Sequence, residues 1–355
     1  MASPIRLAFL GIDHPHGAHW RQQLANFTGE VEIVAFVPSF GGGTTSLEER
    51  YAELPRFESV SALLKGAQFD AAFVGLANRD GPPAIVELAA AGKHILAEKP
   101  VAASAADARP MVAAVEKSGV AYQAGYMWRY DDIANRLKRM LQQDAFGKLI
   151  SVEMTFATSD VARRGPEHYL FDPAASGAGF FSWLACHWLD TLFFVTGRAV
   201  VGVTARTGVF GAVPTKVEDG GAAILELDGG GLATFVGGYW HPRWAGESRW
   251  AIRGSQRWVH WDANRKGTNG ALEIHGPQPQ WHAMEDVFTT AEDKSPGYGG
   301  RRGFLLVQDW LDCIRTGRRD NRATCRGTLA TLELIDAIFQ SSREGKRIEC
   351  RIEPA

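Results

Sequence analysis

A chain of 355 residues has the length of two domains, and its 45% hydrophobic and 22% charged content is that of an ordinary globular protein. A formal net charge of -2 gives no electrostatic reason to expect nucleic acid or an acidic membrane surface as a partner. No apolar run approaches bilayer-spanning length, so no membrane partner is expected either. Met1-Ala-Ser-Pro-Ile-Arg leads straight into a strand, with neither a charged leader nor a cleavage site. The four cysteines, Cys186, Cys313, Cys325 and Cys350, are scattered without metal spacing, which fits a reducing, cytoplasmic location. Of eleven tryptophans only Trp20 and Trp128 precede residue 150; core aromatics explain such a bias more simply than a sugar-stacking cleft.

Strand and helix patterns alternate over the first 125 residues. Ile5 to Leu10, Glu32 to Val37, Ala71 to Val74, His94 to Ala97 and Ala121 to Ala124 read as buried strands, with amphipathic segments such as Pro82 to Ala91 between them. This rhythm predicts a doubly wound parallel sheet. Ser104-Ala-Ala-Asp107 reads as a capping box and Gly119 as a C-terminal cap, while Pro110 predicts a kink or a late helix start.

Beyond about Ile150 the pattern changes. Ile150 to Phe156, Val200 to Thr207, Ala222 to Leu227, Gly231 to Gly237, Ser248 to Arg253 and Arg257 to Asp262 read as strands, several joined by short glycine-rich turns. A large, mostly antiparallel sheet is expected, covered on one face by helices over Gly179 to Thr196, Gly303 to Arg315 and Leu329 to Ser341. Segments 157–177 and 263–300 read as long polar loops, and no internal repeat is evident. The fold class is therefore α/β: a doubly wound parallel sheet of Rossmann type over 1–125, then a domain over 126–355 built on an open, mostly antiparallel sheet.

The first β-turn-α segment reads Gly11-Ile-Asp-His-Pro-His-Gly17. A G-x-G-x-x-G turn lets the backbone approach a dinucleotide pyrophosphate at a helix N-terminus. Gly11 keeps its place; Asp13 and His16 occupy the second and third glycine positions. Asp13 sets a carboxylate where phosphates arrive, and protonated His14 or His16 is expected to offset it, with Gly17 allowing a shifted turn. At the end of the second strand Pro38 stands where an acid would hold an NAD ribose. Ser39 and Gly41-Gly-Gly-Thr-Thr45 leave NADP as plausible as NAD. The histidines at 14, 16 and 19 also invite a metal reading, but polar residues at a helix start explain them better, and no metal is expected.

The strand His94 to Ala97 delivers Glu98-Lys99-Pro100 to the end of the sheet, where open α/β folds bind ligands. A lysine there can meet a substrate oxygen while the carboxylate holds it in place. Ala89-Ala-Ala-Gly-Lys-His-Ile-Leu-Ala-Glu-Lys-Pro-Val101 closely resembles the signature of the Gfo/Idh/MocA oxidoreductases, the glucose-fructose oxidoreductase and inositol dehydrogenase family. The resemblance runs over essentially the whole chain, ending in Glu333-Leu-Ile-Asp-Ala-Ile-Phe-Gln-Ser-Ser342 and Gly345-Lys-Arg347, which are similar to the family's closing helix and strand.

The resemblance implies an NAD(P)-dependent oxidoreductase acting on a carbinol carbon of a sugar, cyclitol or related polyol. It also implies dinucleotide binding for the domain over 1–125, and substrate binding and oligomerisation for the domain over 126–355. Cofactor contacts are then expected from Gly11, Ile12, Asp13, His14, His16, Pro38, Ser39, Leu76, Asn78, Glu98 and Lys99. In Leu76-Ala-Asn-Arg-Asp-Gly81, Asn78 matches the family, and Gly81 stands at its histidine position. Gly177-Ala-Gly-Phe-Phe-Ser-Trp-Leu-Ala-Cys-His-Trp-Leu-Asp190 is similar to the family's catalytic helix, with His187 at the catalytic histidine, Asp190 at the later aspartate and Trp183 in place of the catalytic aspartate. The implied chemistry puts Lys99 on the reacting oxygen and gives its proton to His187. Tyr126, Arg129, His168, Tyr169, Trp183 and Trp240 are the candidates for substrate contact. A homo-dimer or tetramer through the C-terminal sheet is implied. Two rivals share the fold: a non-redox hydrolase or lyase that retains its cofactor, and a ligand-binding protein that has lost catalysis, motivated by Asp13, Pro38 and Trp183.

Overall fold

The computed structural model describes residues 3–40, 51, 53–277 and 284–355. The chain divides into two compact units, Met1–Tyr130 with Lys294–Leu329, and Asp131–Asp293 with Ala330–Ala355. The first is built on five parallel strands, β1 (Ile5–Leu10), β2 (Val31–Val37), β3 (Ala71–Val74), β4 (His94–Ala97) and β5 (Tyr122–Ala124), in the order β2-β1-β3-β4-β5. Because helices cover both faces, the strands are continuous apolar runs; all four residues of β3 are buried. The order reverses between β1 and β3, so the chain leaves these two strands in opposite directions and opens a crevice at their C-terminal ends.

Local signals account for the helices between them. Ser104 accepts the N–H of Asp107 at 3.2 Å, opening the helix Ala105–Ser118, and Gly119 closes it with a left-handed φ of 66°. Pro110 lies inside this helix, which begins five residues earlier, so the expected late start does not occur.

The sequence reading ended the first domain at residue 125 and gave everything later to the second. The structure instead continues the first unit to Tyr130 and returns 294–329 to it. The helix Gly300–Thr316 was expected on the antiparallel sheet, yet it shares a core cluster, through Leu306, Val307, Trp310 and Leu311, with Leu7, Phe9, Phe73 and Leu96 of the parallel one and with Trp20 of the helix Gly17–Ala25. Its apolar stripe shows that it covers a sheet, and the stripe alone does not say which.

The second unit carries nine strands: β6 (Leu149–Ser159), β7 (Val200–Gly208), β8 (Gly220–Leu227), β9 (Gly231–His241), β10 (Gly246–Gly254), β11 (Trp258–Asp262), β12 (Thr268–His275), β13 (Met284–Ala291) and β14 (Ile348–Ile352). Their order is β13-β12-β11-β10-β6-β9-β8-β7-β14, antiparallel except for β6 beside β9. One face packs on helices: Trp188, from the helix Cys186–Thr196, meets Trp250 and Trp261 of β10 and β11 at ring distances of 5.5 and 5.4 Å. The late tryptophans are thus in part a core. On the other face Ile224, Leu232, Val236 and Val287 are exposed.

Two expected loops hold regular structure. Segment 263–300 contains β12 and β13; the left-handed Gly270 interrupts the alternation of the first, and the second is a mostly exposed edge strand. Segment 157–177 contains the end of β6 and three short helical turns, two opened by Asp160 and Asp172 as N-caps. The helix Asp132–Gln142, capped by Asp131, was not anticipated. The stretch Pro173–Thr196 is long and apolar enough to cross a membrane by composition, but 94% of its apolar window is buried, as in a core helix.

Candidate active site

In the first unit the site grows from the turn after β1. Gly11 has a φ of 72°, and a Cβ there would lie 1.9 Å from the carbonyl oxygen of Gly75. Gly17 starts the helix Gly17–Ala25, and a Cβ there would lie 2.5 Å from the carbonyl of Ile12. These two glycines let the turn close. Asp13 does not project its carboxylate across the turn: Oδ1 accepts the N–H of Ser39 at 2.8 Å and Oδ2 that of Phe40 at 2.7 Å. His14 is buried, and its Nδ1 accepts the N–H of His16 at 3.0 Å. Burial pulls this imidazole down to about 3, so it is neutral and brings no positive charge, against the sequence expectation.

Glu98 and Lys99 follow β4 and are buried, with Lys99 only 1% exposed. The Glu98 carboxylate accepts hydrogen bonds from the Trp20 indole and, at 3.2 Å, from the backbone N–H of Lys99. His16 Nδ1 lies 3.4 Å and Lys99 Nζ 3.9 Å from its two oxygens. Burial alone would raise this carboxyl, but His16 and Lys99 hold it well below the usual range. Glu98 is therefore a fixed anion beside the lysine. Trp20 is itself clamped by stacking on Tyr298 at 4.2 Å. Asn78 is buried after β3, Leu76 half-buried, and Ser39 exposed after Pro38. The ligand atoms of His14, His16 and Glu98 lie within 4.8 Å of one another, a spacing that could hold a metal ion. Hydrogen bonds to His14 Nδ1 and to Glu98 already fix this group.

In the second unit the segment Phe181–Ala185 is a turn of π-helix that leads into the helix Cys186–Thr196. Such turns hold an extra residue and recur at functional sites. Glu218 accepts the N–H groups of Gly179 and Phe181 at 2.8 and 2.9 Å, fixing where this turn begins. Burial, with the Asp219 charge beside it, pushes the Glu218 carboxyl up to about 7 despite those two donors. His187 and Asp190 are buried on the following turn, and Thr331 lies 3.5 Å from the Asp190 carboxylate. Trp183 meets Tyr169 edge-on at 5.9 Å, and Tyr169 lies beside His168 at 5.0 Å. Burial and the nearby Arg164 keep the His168 imidazole below its usual range.

Residues 5–126 match the model of the oxidoreductase family with an NAD-binding Rossmann fold, and residues 134–260 match the GFO/IDH/MocA C-terminal domain. The chain belongs to the GFO/IDH/MocA oxidoreductase family. It is 27% identical over 355 residues to D-apiose dehydrogenase of Paraburkholderia graminis, covering 98% of this chain and 88% of that one. Its fold matches aldose-aldose oxidoreductase of Caulobacter crescentus, solved with glycerol, at a TM-score of 0.78 and 21% identity, over 98% of this chain and 100% of that one. It also matches levoglucosan dehydrogenase, solved with NADH and L-sorbose, at a TM-score of 0.81 and 15% identity, over 99% of both chains.

The family's cofactor is a nicotinamide dinucleotide, and the glycine turn fits it. The backbone is drawn tight at Gly11 and Gly17, and the Asp13 carboxylate is turned onto the N–H groups of Ser39 and Phe40 instead of lying over the turn. Gly11, Ile12, His14, His16, Leu76, Asn78, Glu98 and Lys99 all belong to the segments following β1, β3 and β4. Gly81 opens the helix Gly81–Ala90, and a Cβ there would lie 2.4 Å from the Val101 carbonyl.

Two of the six candidates for substrate contact are built into packing. The guanidinium of Arg129 is buried and donates to the carbonyl of Arg322 at 2.6 Å; Tyr126 is buried nearby in sequence. Trp240 sits on the sheet face opposite the helices, over Gly220 and Gly238, with its indole donating to Asp219 at 3.2 Å. Alternation along β9 turns its neighbour Tyr239 inward instead, between Phe171 and Phe180. Its hydroxyl is buried and has no hydrogen-bond partner among the described residues. Sequence reasoning passed over Tyr239 although the alternation could have found it. Glu218 gave no sequence signal, because its role depends on a backbone 39 residues away.

Proposed function

We propose that the protein is an NAD(P)-dependent dehydrogenase acting on a carbinol carbon of a sugar, cyclitol or related polyol. The observation that carries this reading is Lys99: a buried ammonium at the C-terminal end of a parallel strand, 3.9 Å from the fixed anion Glu98. Lys99 donates to the hydroxyl oxygen and stabilises the negative charge that develops there. His187 takes the hydroxyl proton as the carbon–hydrogen bond breaks. The bound nicotinamide supplies the hydride acceptor. Trp183 cannot hold the His187 cation as a carboxylate would; it provides, with Tyr169 and His168, an apolar and aromatic wall for the face of a ring. A homo-dimer or tetramer through the open sheet face, whose Ile224, Leu232, Val236 and Val287 are exposed, and a cytoplasmic location belong to the same reading.

The test is a panel of aldoses, cyclitols and polyols offered with each oxidised nicotinamide cofactor, followed by the absorbance of the reduced form. Lys99→Ala is expected to lose at least about a thousandfold in turnover while still giving a folded protein with a cooperative melt. Turnover unchanged in the variant would sink the assignment. Tightly retained nucleotide with no net absorbance change on any substrate would move it to non-redox chemistry.

A further inference from the structure

We infer that Asp13 is the residue that reads the adenosine ribose of the dinucleotide, and that it makes the protein select NAD(H) over NADP(H). The inference rests on the nicotinamide reading and adds to it a specificity. In Rossmann sheets an acid about twenty residues beyond the glycine turn, at the end of β2, accepts the ribose 2′-hydroxyl. Pro38 follows β2 here and has neither a carboxylate nor an N–H.

The carboxylate arrives from the neighbouring strand. β1 and β2 run side by side with Leu10 opposite Val37, so the turn after β1 and the end of β2 are adjacent. Asp13 spans that gap, its two oxygens accepting from Ser39 and Phe40 at 2.8 and 2.7 Å. The substitution that breaks the glycine pattern thus restores an anion near the position where Pro38 removed one. Each carboxylate oxygen can accept more than one hydrogen bond, so both backbone donors and a ribose hydroxyl can share it.

The same placement works against a 2′-phosphate. The N–H groups of Ser39 and Phe40, which a phosphate would use, are already directed to a carboxylate. A phosphate carrying about -1.5 to -2 charges would meet that anion at short range. Phe36-Val-Pro-Ser-Phe-Gly-Gly-Gly-Thr-Thr-Ser46 contains no lysine or arginine to neutralise it. His14 is uncharged. Arg56 reaches β2 further back, with its guanidinium over the Phe36 ring at 5.2 Å.

The experiment is calorimetric titration of the purified full chain with NADH and NADPH, repeated on Asp13→Asn with the melting temperature as a check on folding. NADH is expected to bind at least about tenfold more tightly than NADPH, the discrimination a single charged hydrogen-bonding group supplies, and Asp13→Asn is expected to erase most of that gap. Equal affinities, or tighter NADPH, in the parent protein would overturn the inference and leave the dehydrogenase reading intact. A parent preference for NADH that Asp13→Asn leaves unchanged would overturn it as well. Binding of neither nucleotide would overturn both. Should Asp13→Asn fail to fold, Asp13→Ser is titrated in its place and read by the same outcomes.

Discussion

The two units differ in how they treat the residues that the family resemblance leads one to expect. In the first, Asp13 and His16 stand where the resemblance expects glycines, yet the backbone requirement is met by Gly11 and Gly17; the Asp13 carboxylate accepts two backbone N–H groups, and the His16 imidazole lies 3.4 Å from the Glu98 carboxylate. In the second, Trp183, at the position where the resemblance expects a carboxylate, packs its ring edge-on against Tyr169, so an aromatic surface lies where a charge was expected. A cofactor turn that works through backbone N–H groups tolerates changed side chains provided the chain can still close. A catalytic helix that works through side chains changes its chemistry with each one. The first unit should therefore keep its family function, and the second should show an altered proton relay.

Replacing His187, the proposed proton acceptor, sharpens this contrast most. His187→Gln is expected to lower kcat by about a hundredfold or more while nucleotide affinity in titration stays at the parent value. A loss of nucleotide affinity equal to the loss of kcat would break the division of labour between the units.

A smaller effect is expected from Glu218. Its folded carboxyl titrates near 7 against an ordinary 4.5, so the native state keeps a proton that the unfolded state releases. The unfolded state then binds fewer protons, and stability falls as pH rises between about 4.5 and 7, by a few kcal/mol at most. Glu218→Gln is expected to flatten this segment of the curve of melting temperature against pH relative to the parent. A difference between the two proteins that is constant across the window would show that Glu218 is ionised throughout in the native state. In that case the start of the helix bearing His187 would not depend on pH through this residue.

The parallel sheet was legible because its strands are short apolar runs separated by helices with clear caps, of which Ser104 and Gly119 around Ala105–Ser118 are the plainest. The Glu98-Lys99 pair was legible because three residues in a fixed place after a strand carry their chemistry with them. Other features were hidden for definite reasons. The helix Gly300–Thr316 shows an apolar stripe that either sheet could accept. β13 is a mostly exposed edge strand without regular alternation of apolar and polar residues, so it reads as a loop. The neutrality of His14 follows from its burial, which no local spacing reveals. Arg129 looked like a ligand-binding cation, and its partner turned out to be a carbonyl 193 residues away.

The most direct test of the central claim is the fate of hydrogen from the carbinol carbon. With a substrate from the panel carrying deuterium there, the account predicts slowed turnover and deuterium recovered in the reduced nicotinamide. Both should vanish in Lys99→Ala. Product formed by the parent protein with the deuterium still on the product carbon, and no reduced cofactor accumulated, would contradict net dehydrogenation.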